Sequence, residues 1–418
     1  MLTLKTAWVF LRDAKVPFLG CLGERARGSR LSFARLRDLI AAKLSVTMAR
    51  NSNLRAADKA KNDEFYTQYA DIEKEINAYI EYNPDVFRGK TVLLPCDDPE
   101  WSNFTKYFAQ NFETLGLKKL ISTSYAVESK QYKEGYQLTL FEEQSPNFDE
   151  NKTRKNGKIF VLDHDTNNSG RIDINDLEWH YLESDGDFRS NEVKALRNEA
   201  DIIVTNPPFS LFREFLAWIV EADKQFVIIG NMNAITYKEV FPLIKENKMW
   251  IGATGFASDM VFAVPKGTEV PIAYKEKAEK LGYVGDYTRL GNSCWFTNID
   301  HGRRHYPLPL MTMADNIKFS KHKEIKGKEY AHYDNYDAIE VPFTDAIPND
   351  YEGIMGVPIS FLDKYCPEQF EILGISLELA TNRPKDLPKE KQGGPAFYLK
   401  ENGEYKRLYC RIAIRKKQ

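Results

Sequence analysis

The chain has 418 residues, 43% hydrophobic and 28% charged, with a formal net charge of −2. That composition is ordinary for a globular protein and excludes a largely disordered, collagen-like or coiled-coil chain. No apolar run reaches the roughly 18–20 residues a membrane-spanning helix needs. Cys21, Cys96, Cys294, Cys366 and Cys410 are odd in number and widely spaced, which predicts free thiols in a reducing compartment.

Residues 1–47 stand apart. Nine Lys/Arg against Asp13, Glu24 and Asp38 leave this segment at +6 and the remainder near −8. Leu31, Phe33, Leu36, Leu39, Ile40 and Leu44 would share one face of a basic helix. The segment reads as a basic arm, targeting-like in composition, or as a non-native extension before a start at Met48. Met48-Ala49-Arg50-Asn51 favours the second reading.

From residue 62 the chain alternates between helical and extended patterns. Ile72, Ile76, Tyr79 and Ile80 predict a helix over 71–82, stopped by Asn83-Pro84. A strand over 91–94 ends in Pro95-Cys96-Asp97-Asp98-Pro99. A helix over 102–115 carries Phe104, Tyr107, Phe108 and Phe112 on one face. Strands are predicted over 117–124, 159–162, 201–204 and 225–230, with a helix over 211–220. This alternation predicts an α/β fold, a parallel sheet covered by helices on both faces. Ligands of such sheets bind beyond the carboxyl ends of the strands. After about residue 240 the spacing loosens. Residues 48–240 are read as one α/β domain and 241–418 as remaining sheet elements with a further region.

Asn206-Pro207-Pro208-Phe209 directly follows the strand at 201–205. Two prolines stop the ladder, stiffen the turn and leave carbonyls with no helix to bond to. An Asn side chain and a fixed carbonyl give two acceptors aimed at one point, and Phe209 offers a stacking surface. The set suits the exocyclic amino group of a planar base. The competing reading is a plain proline-rich turn.

These residues resemble the N-P-P-[FY] motif of amino-group methyltransferases that use S-adenosylmethionine. Asn62-Asp63-Glu64-Phe65-Tyr66-Thr67-Gln68 is similar to the motif that holds the methionine end of that cofactor. Cys96-Asp97-Asp98-Pro99, Ser102 and Asn103 stand where the first cofactor loop belongs. Asp185-Gly186-Asp187-Phe188-Arg189-Ser190 resembles the adenine-binding turn. With Cys294-Trp295-Phe296-Thr297-Asn298 and the stretch from Gly356-Val357-Pro358 to Phe370, the chain from about residue 48 resembles the EcoRI-type adenine-specific DNA methyltransferases. Two departures stand out. The loop over 98–104 has no glycine, and Glu128 is the nearest acid after the second strand for the ribose hydroxyls.

The resemblance implies a Rossmann-like class I methyltransferase sheet and a C-terminal target-recognition region. It implies an adenine-specific DNA methyltransferase with S-adenosylmethionine as cofactor and double-stranded DNA as substrate. The base must leave the duplex to be reached. Asn206, Pro207, Pro208 and Phe209 would be catalytic. Phe65, Tyr66, Thr67, Cys96, Asp97, Asp98, Ser102, Asn103, Asp187 and Phe188 would hold the cofactor. It further implies a bacterial cytoplasmic setting and the possibility of a partner restriction endonuclease. A monomer is expected, since methylating one strand per visit needs no two-fold symmetry. Two other readings stay open: a methyltransferase acting on a guanine amino group of ribosomal RNA, and a non-catalytic DNA-binding protein.

Asp165 to Asp176 matches a calcium loop in spacing, but the flanks read as strands and not as the helices an EF-hand needs. A polar connection is the simpler reading. His301-Gly302-Arg303-Arg304-His305 makes no metal set; Arg303 and Arg304 are candidates for DNA phosphates. So are Lys318, Lys321 and Lys323 in the lysine run over 318–328, and Lys406, Arg407 and Arg411 in a tail that carries +5 from residue 404 on. Each also reads as solvated surface.

Overall fold

The computed structural model describes residues 66–95, 102–126, 147–257, 260–264 and 270–417. The expectations for residues 1–47, and for Phe65, Cys96, Asp97, Asp98 and Glu128, lie outside the described residues.

In chain order the first strands are β1 (Tyr66–Thr67), β2 (Thr91–Leu94), β3 (Lys119–Ser124), β4 (Lys158–Leu162), β5 (Glu178–Tyr181), β6 (Ile202–Thr205) and β7 (Gln225–Asn231). They are followed by β8 (Trp250–Ile251), β9 (Val261–Ala263), β10 (Tyr287–Arg289) and β11 (Ser293–Thr297). Eight of these form one sheet in the order β5-β4-β3-β2-β6-β7-β11-β8, while β1, β9 and β10 form a small sheet of their own.

The four central strands β3, β2, β6 and β7 run parallel. Both flanks are antiparallel, β4 and β5 on one side and β11 and β8 on the other. The expectation of a wholly parallel sheet is therefore corrected to a mixed one. Between β4 and β5 the chain makes only a short 3₁₀ turn (Ile174–Asp176). With no helix in that connection to cross the face of the sheet, the chain returns antiparallel.

Alternate strand residues feed two cores. Val92, Leu94, Ile202, Val204 and Val227 pack with Ile72, Ile76 and Tyr79 of the helix Tyr69–Tyr82 and with Phe104 and Phe108 of the helix Asn103–Gln110. Leu93, Ile203, Phe226 and Ile228 pack with Val193 of the helix Asn191–Glu199 and with Phe215 and Ile219 of the helix Phe212–Glu221. Central strands buried on both faces read as continuous apolar runs, which is why 91–94 and 202–204 were legible.

The remaining chain forms a four-stranded sheet of β12 (Ile339–Glu340), β13 (Met355–Pro358), β14 (Phe370–Ile375) and β17 (Arg411–Lys416), in the order β12-β13-β17-β14. A hairpin of β15 (Tyr398–Glu401) and β16 (Glu404–Arg407) precedes β17. Ile339, Met355, Ile372 and Ile412 belong to the same apolar cluster as Leu93 and Ile203. That core runs on without interruption past residue 240.

Candidate active site

From β2 the chain goes to β3 on one side, and β6 lies on the other side of β2. The crevice at such a reversal, outside the carboxyl ends of the strands, is where ligands bind in open α/β sheets. Thr205, the last residue of β6, donates from Oγ1 to the Pro95 carbonyl just past β2, at 2.8 Å. That bond ties the Asn206–Phe209 turn to the mouth of the first loop. Pro207 is buried; Asn206, Pro208 and Phe209 are half-buried. The Leu211 amide donates to the Pro208 carbonyl at 2.9 Å and opens the 3₁₀ turn Phe209–Leu211, which runs into the helix Phe212–Glu221. The Pro208 carbonyl therefore does join a helical turn, contrary to expectation.

Three other segments meet the same edge. Ser102, buried, accepts the Phe104 amide on Oγ at 3.1 Å and caps the helix Asn103–Gln110 after β2. Its neighbour Asn103 donates from Nδ2 to the Thr67 carbonyl at 2.8 Å. This single bond joins two motifs that lie far apart in sequence, with Tyr66 half-buried and Thr67 buried in β1. At the end of β3, the Ala126 amide donates to the Asp185 carbonyl at 2.8 Å. Gly186 sits there at φ +85°, and a Cβ on it would stand 2.3 Å from the Ser124 carbonyl oxygen. Only glycine allows that approach.

Two carboxylates have shifted acidities. Burial pushes Asp187 up, but the hydrogen bonds and charge of Arg189 outweigh it and hold the carboxyl below its ordinary value. The pair closes at 2.6 Å from Arg189 Nη2 to Asp187 Oδ2. Asp71, in the first turn of the helix that follows β1, is pushed up to about 6 by burial, against the charge of Lys74. Sequence reading missed Asp71, because nothing in its spacing marks a buried acid. Phe188 has its ring wholly inside the core, against Phe215 and Trp218 at 5.1 and 5.7 Å between centroids. Its side chain is thus structural, and any part in ligand binding falls to its backbone.

The basic candidates divide sharply. Arg304 is buried, stacks on Trp250 with its guanidinium 3.6 Å from the ring centroid, and bonds Asp300 at 3.0 Å. Arg303 pairs with Asp363 at 2.8 Å. Arg411 lies against Glu340 at 2.8 Å, with both side chains largely shielded. Each spends donors inside the fold: Arg303 on Asp363 and the Ala253 carbonyl, Arg304 on Asp300 and Asn247, and Arg411 on Glu340. Lys318, Lys323, Lys406 and Arg407 are exposed, and Lys321, also exposed, reaches Asp345 at 2.8 Å.

The calcium-like loop is an Asx-rich connection. Asp176, its last position, accepts the Thr166, Asn167 and Asp173 amides at 3.0, 3.2 and 3.0 Å. It lies between β4 and β5, with no flanking helices. Among the described residues no group of His, Cys, Asp and Glu is placed to hold a metal ion. Cys294, Cys366 and Cys410 are free thiols, all buried.

A mixed α/β sheet with an Asn-Pro-Pro-Phe turn at its carboxyl edge defines an amino-group methyltransferase. The family described as "Adenine-specific methyltransferase EcoRI" matches residues 53–417, and the chain belongs to that family. It is 44% identical over 332 residues to a type II methyltransferase, M.EcoRI of Escherichia coli, covering 78% of this chain and 90% of that one. It is 33% identical over 371 residues to the type II methyltransferase M.MpnI of Mycoplasma pneumoniae, covering 87% and 97%. A Mycoplasma genitalium type II methyltransferase, M.MgeORF184P, is 33% identical over 368 residues, covering 87% and 98%. No solved structure matches the chain. No helix among the described residues is long and apolar enough to cross a membrane.

Proposed function

We propose that this chain moves the methyl of S-adenosylmethionine to the N6 amino group of an adenine flipped out of duplex DNA at a short recognition site. It would act as the modifying half of a restriction–modification pair or in a mobile element, with a cognate endonuclease as potential partner. The observation that carries the reading is the Asn206–Phe209 turn at the end of β6, bonded through Thr205 to the end of β2, in a chain of an adenine-specific family.

The residues present fit that cofactor. Tyr66–Thr67, Ser102–Asn103, Asp185–Asp187 and Asn206–Phe209 are drawn to the carboxyl ends of three neighbouring strands by the contacts at Thr67, Ala126 and Pro95. Tyr66, Thr67, Ser102 and Asn103 would hold the methionine end and Asp187 the adenine end; Phe65, Cys96, Asp97 and Asp98 stand in the same two sequence motifs and would join them. Bound there, S-adenosylmethionine supplies a methyl already activated by its sulfonium.

The chain's own residues do the rest. The lone pair on adenine N6 is delocalised into the ring and is a poor nucleophile. Asn206 Oδ1 and the Pro207 carbonyl accept the two N6 hydrogens, draw the lone pair out of conjugation and aim it. Phe209 stacks on the flipped ring. Catalysis is then positioning plus an electrostatic match to the transition state; no covalent enzyme intermediate is needed. The fold fits a Rossmann-like class I sheet in which residues 48–240 form the catalytic domain. Residues 241–418 add β8 to β11 and a target-recognition region, where Lys318, Lys321, Lys323, Lys406 and Arg407 are the candidates for phosphate contact. The enzyme would work as a monomer in a bacterial cytoplasm.

Expression in a methylation-free host, with nucleoside digestion of its DNA and RNA, tests the proposal. N6-methyladenine in DNA supports it; N2-methylguanine in ribosomal RNA alone, or no modified base, overturns it.

A further inference from the structure

We propose that Glu75, Arg303 and Asp363 clamp the turn between β8 and β9 and so position β1 for the methyl donor. They are positioning residues for the cofactor and make no contact with DNA. This rests on the cofactor assignment proposed above.

The turn starts at Gly252, after Ile251, and leads to Val261. Glu75, on the helix Tyr69–Tyr82, is fully buried and accepts four hydrogen bonds. Three come from the turn: the Ala253 amide at 2.7 Å, the Thr254 amide at 2.8 Å and Thr254 Oγ1 at 2.6 Å. The fourth comes from Tyr79 at 2.5 Å. On the other side, Arg303 donates from Nη1 to the Ala253 carbonyl at 3.0 Å and pairs through Nη2 with Asp363 Oδ2 at 2.8 Å. The other oxygen of Asp363 accepts the Phe256 amide at 2.7 Å. Gly255 is left-handed, at φ +68°, and a Cβ there would stand 2.0 Å from Asp363 Oδ1 and 2.2 Å from Arg303 Nη1. The backbone is pressed into the pair, and only glycine fits.

A buried carboxylate held by neutral donors is expensive, and apolar packing would hold a turn at lower cost. What this arrangement supplies is a fixed backbone position at residues 253–256, shortly before β9 in the chain. β9 pairs with β1, Thr67 opposite Phe262 and Tyr66 opposite Ala263. Among the described residues β1 comprises Tyr66–Thr67 and pairs with β9 at the edge of its sheet. β9 is thus one of the elements that fix its placement, beside the helix Tyr69–Tyr82 that follows it. Thr67 in turn takes the hydrogen bond from Asn103. The clamp thus reaches both segments that would hold the methionine end of the cofactor.

The test uses the full chain with Asp363→Asn, Arg303→Lys and Glu75→Gln. Cofactor affinity is measured by calorimetry without DNA; kcat, KM for each substrate and the salt dependence of DNA binding are measured separately. Asp363→Asn should raise the cofactor Kd about tenfold, the loss expected when one charge-assisted positioning bond is weakened. The KM for cofactor should rise in parallel, while kcat at saturating cofactor and the salt slope of DNA binding hold. Arg303→Lys, which keeps the charge, should recover part of the loss. An unchanged cofactor Kd overturns the proposal. So does an Arg303 variant whose defect is weaker DNA binding with a shallower salt slope. If Glu75→Gln fails to fold, Thr254→Val removes one donor from the same carboxylate and reads the same affinity. A wild-type chain that binds the cofactor but leaves adenine unmodified sinks the proposed reaction and not the clamp.

Discussion

Two polar turns of this molecule look alike on paper and are placed differently by the fold. Asn206–Phe209 leaves a buried strand at the carboxyl edge of the central sheet, and three of its four residues remain half-buried. His301–His305 comes after β11, and its polar groups are turned into the fold. His301 bonds the Ile251 carbonyl, Arg304 stacks on Trp250, and His305 stands between Asp300 and Glu368. Charge and hydrogen-bonding capacity alone do not make a site. What matters is where the fold places that capacity: at the carboxyl edge of the central sheet, or against carboxylates and carbonyls of the packed chain.

The contrast can be broken most severely at Asn206. Asn206→Ala should lower kcat by about 10²–10³, the effect of removing one preorganised polar group at a reacting centre. Cofactor binding should be nearly intact. Methyl incorporation into DNA, measured with calorimetry of cofactor binding, checks this; near-normal turnover would remove Asn206 from the mechanism.

The second turn should answer in stability and not in catalysis. Arg304→Met should destabilise the fold by about 1–3 kcal/mol, discounted because Asp300 is partly exposed. The salt slope of DNA binding should not move, and denaturant unfolding beside a salt titration separates the two. His301 adds a pH signature. Burial pulls its pKa down to about 4, against its bond to the Ile251 carbonyl. An unfolded histidine titrates near 6.5. The folded chain binds fewer protons in that window, so this stabilisation is full above about pH 6.5 and is lost as pH falls towards 4. His305 works in the opposite direction, because its two carboxylates outweigh burial and raise its pKa. The decisive measurement is therefore the difference in melting between wild type and His301→Gln across that window. The variant should lose the acid-side decline attributable to this site.

Smaller effects sharpen the comparison. Phe209→Ala should weaken binding of the flipped base by about 1–3 kcal/mol if the ring stacks on it. An increased KM for DNA, with cofactor affinity kept, reads that out. Lys323→Ala, on the exposed surface, should weaken DNA binding about uniformly across sequences and reduce its salt slope by about 1 if it touches a phosphate. An identical slope would place Lys323 outside the DNA interface.

Much of the centre was legible because strands buried on both faces leave an unbroken apolar signature. The strands at 91–94 and 202–205 emerged within a residue of their predicted bounds, and Asn206–Phe209 was found by its place after one of them. The antiparallel flanks were not legible, since strand direction depends on whether a connection crosses the sheet. The partners of the arginines were hidden for a related reason. Arg303 meets Asp363, and Arg411 meets Glu340, each across more than 50 residues. A cation's partner is a property of the fold and not of its neighbours in the chain.

The sequence by itself determined the α/β class, the Asn-Pro-Pro-Phe turn and the family, because these rest on local apolar runs and on short motifs whose chemistry travels with their residues. The tertiary structure alone decided which charges are available to a ligand. It buried Phe188 and Arg304, shielded Arg411 behind Glu340, raised Asp71 to about 6, and joined Thr67 to Asn103 and Glu75 to Thr254. Those outcomes depend on burial and on long-range pairing, since desolvation and Coulomb energy are set by what surrounds a group in space.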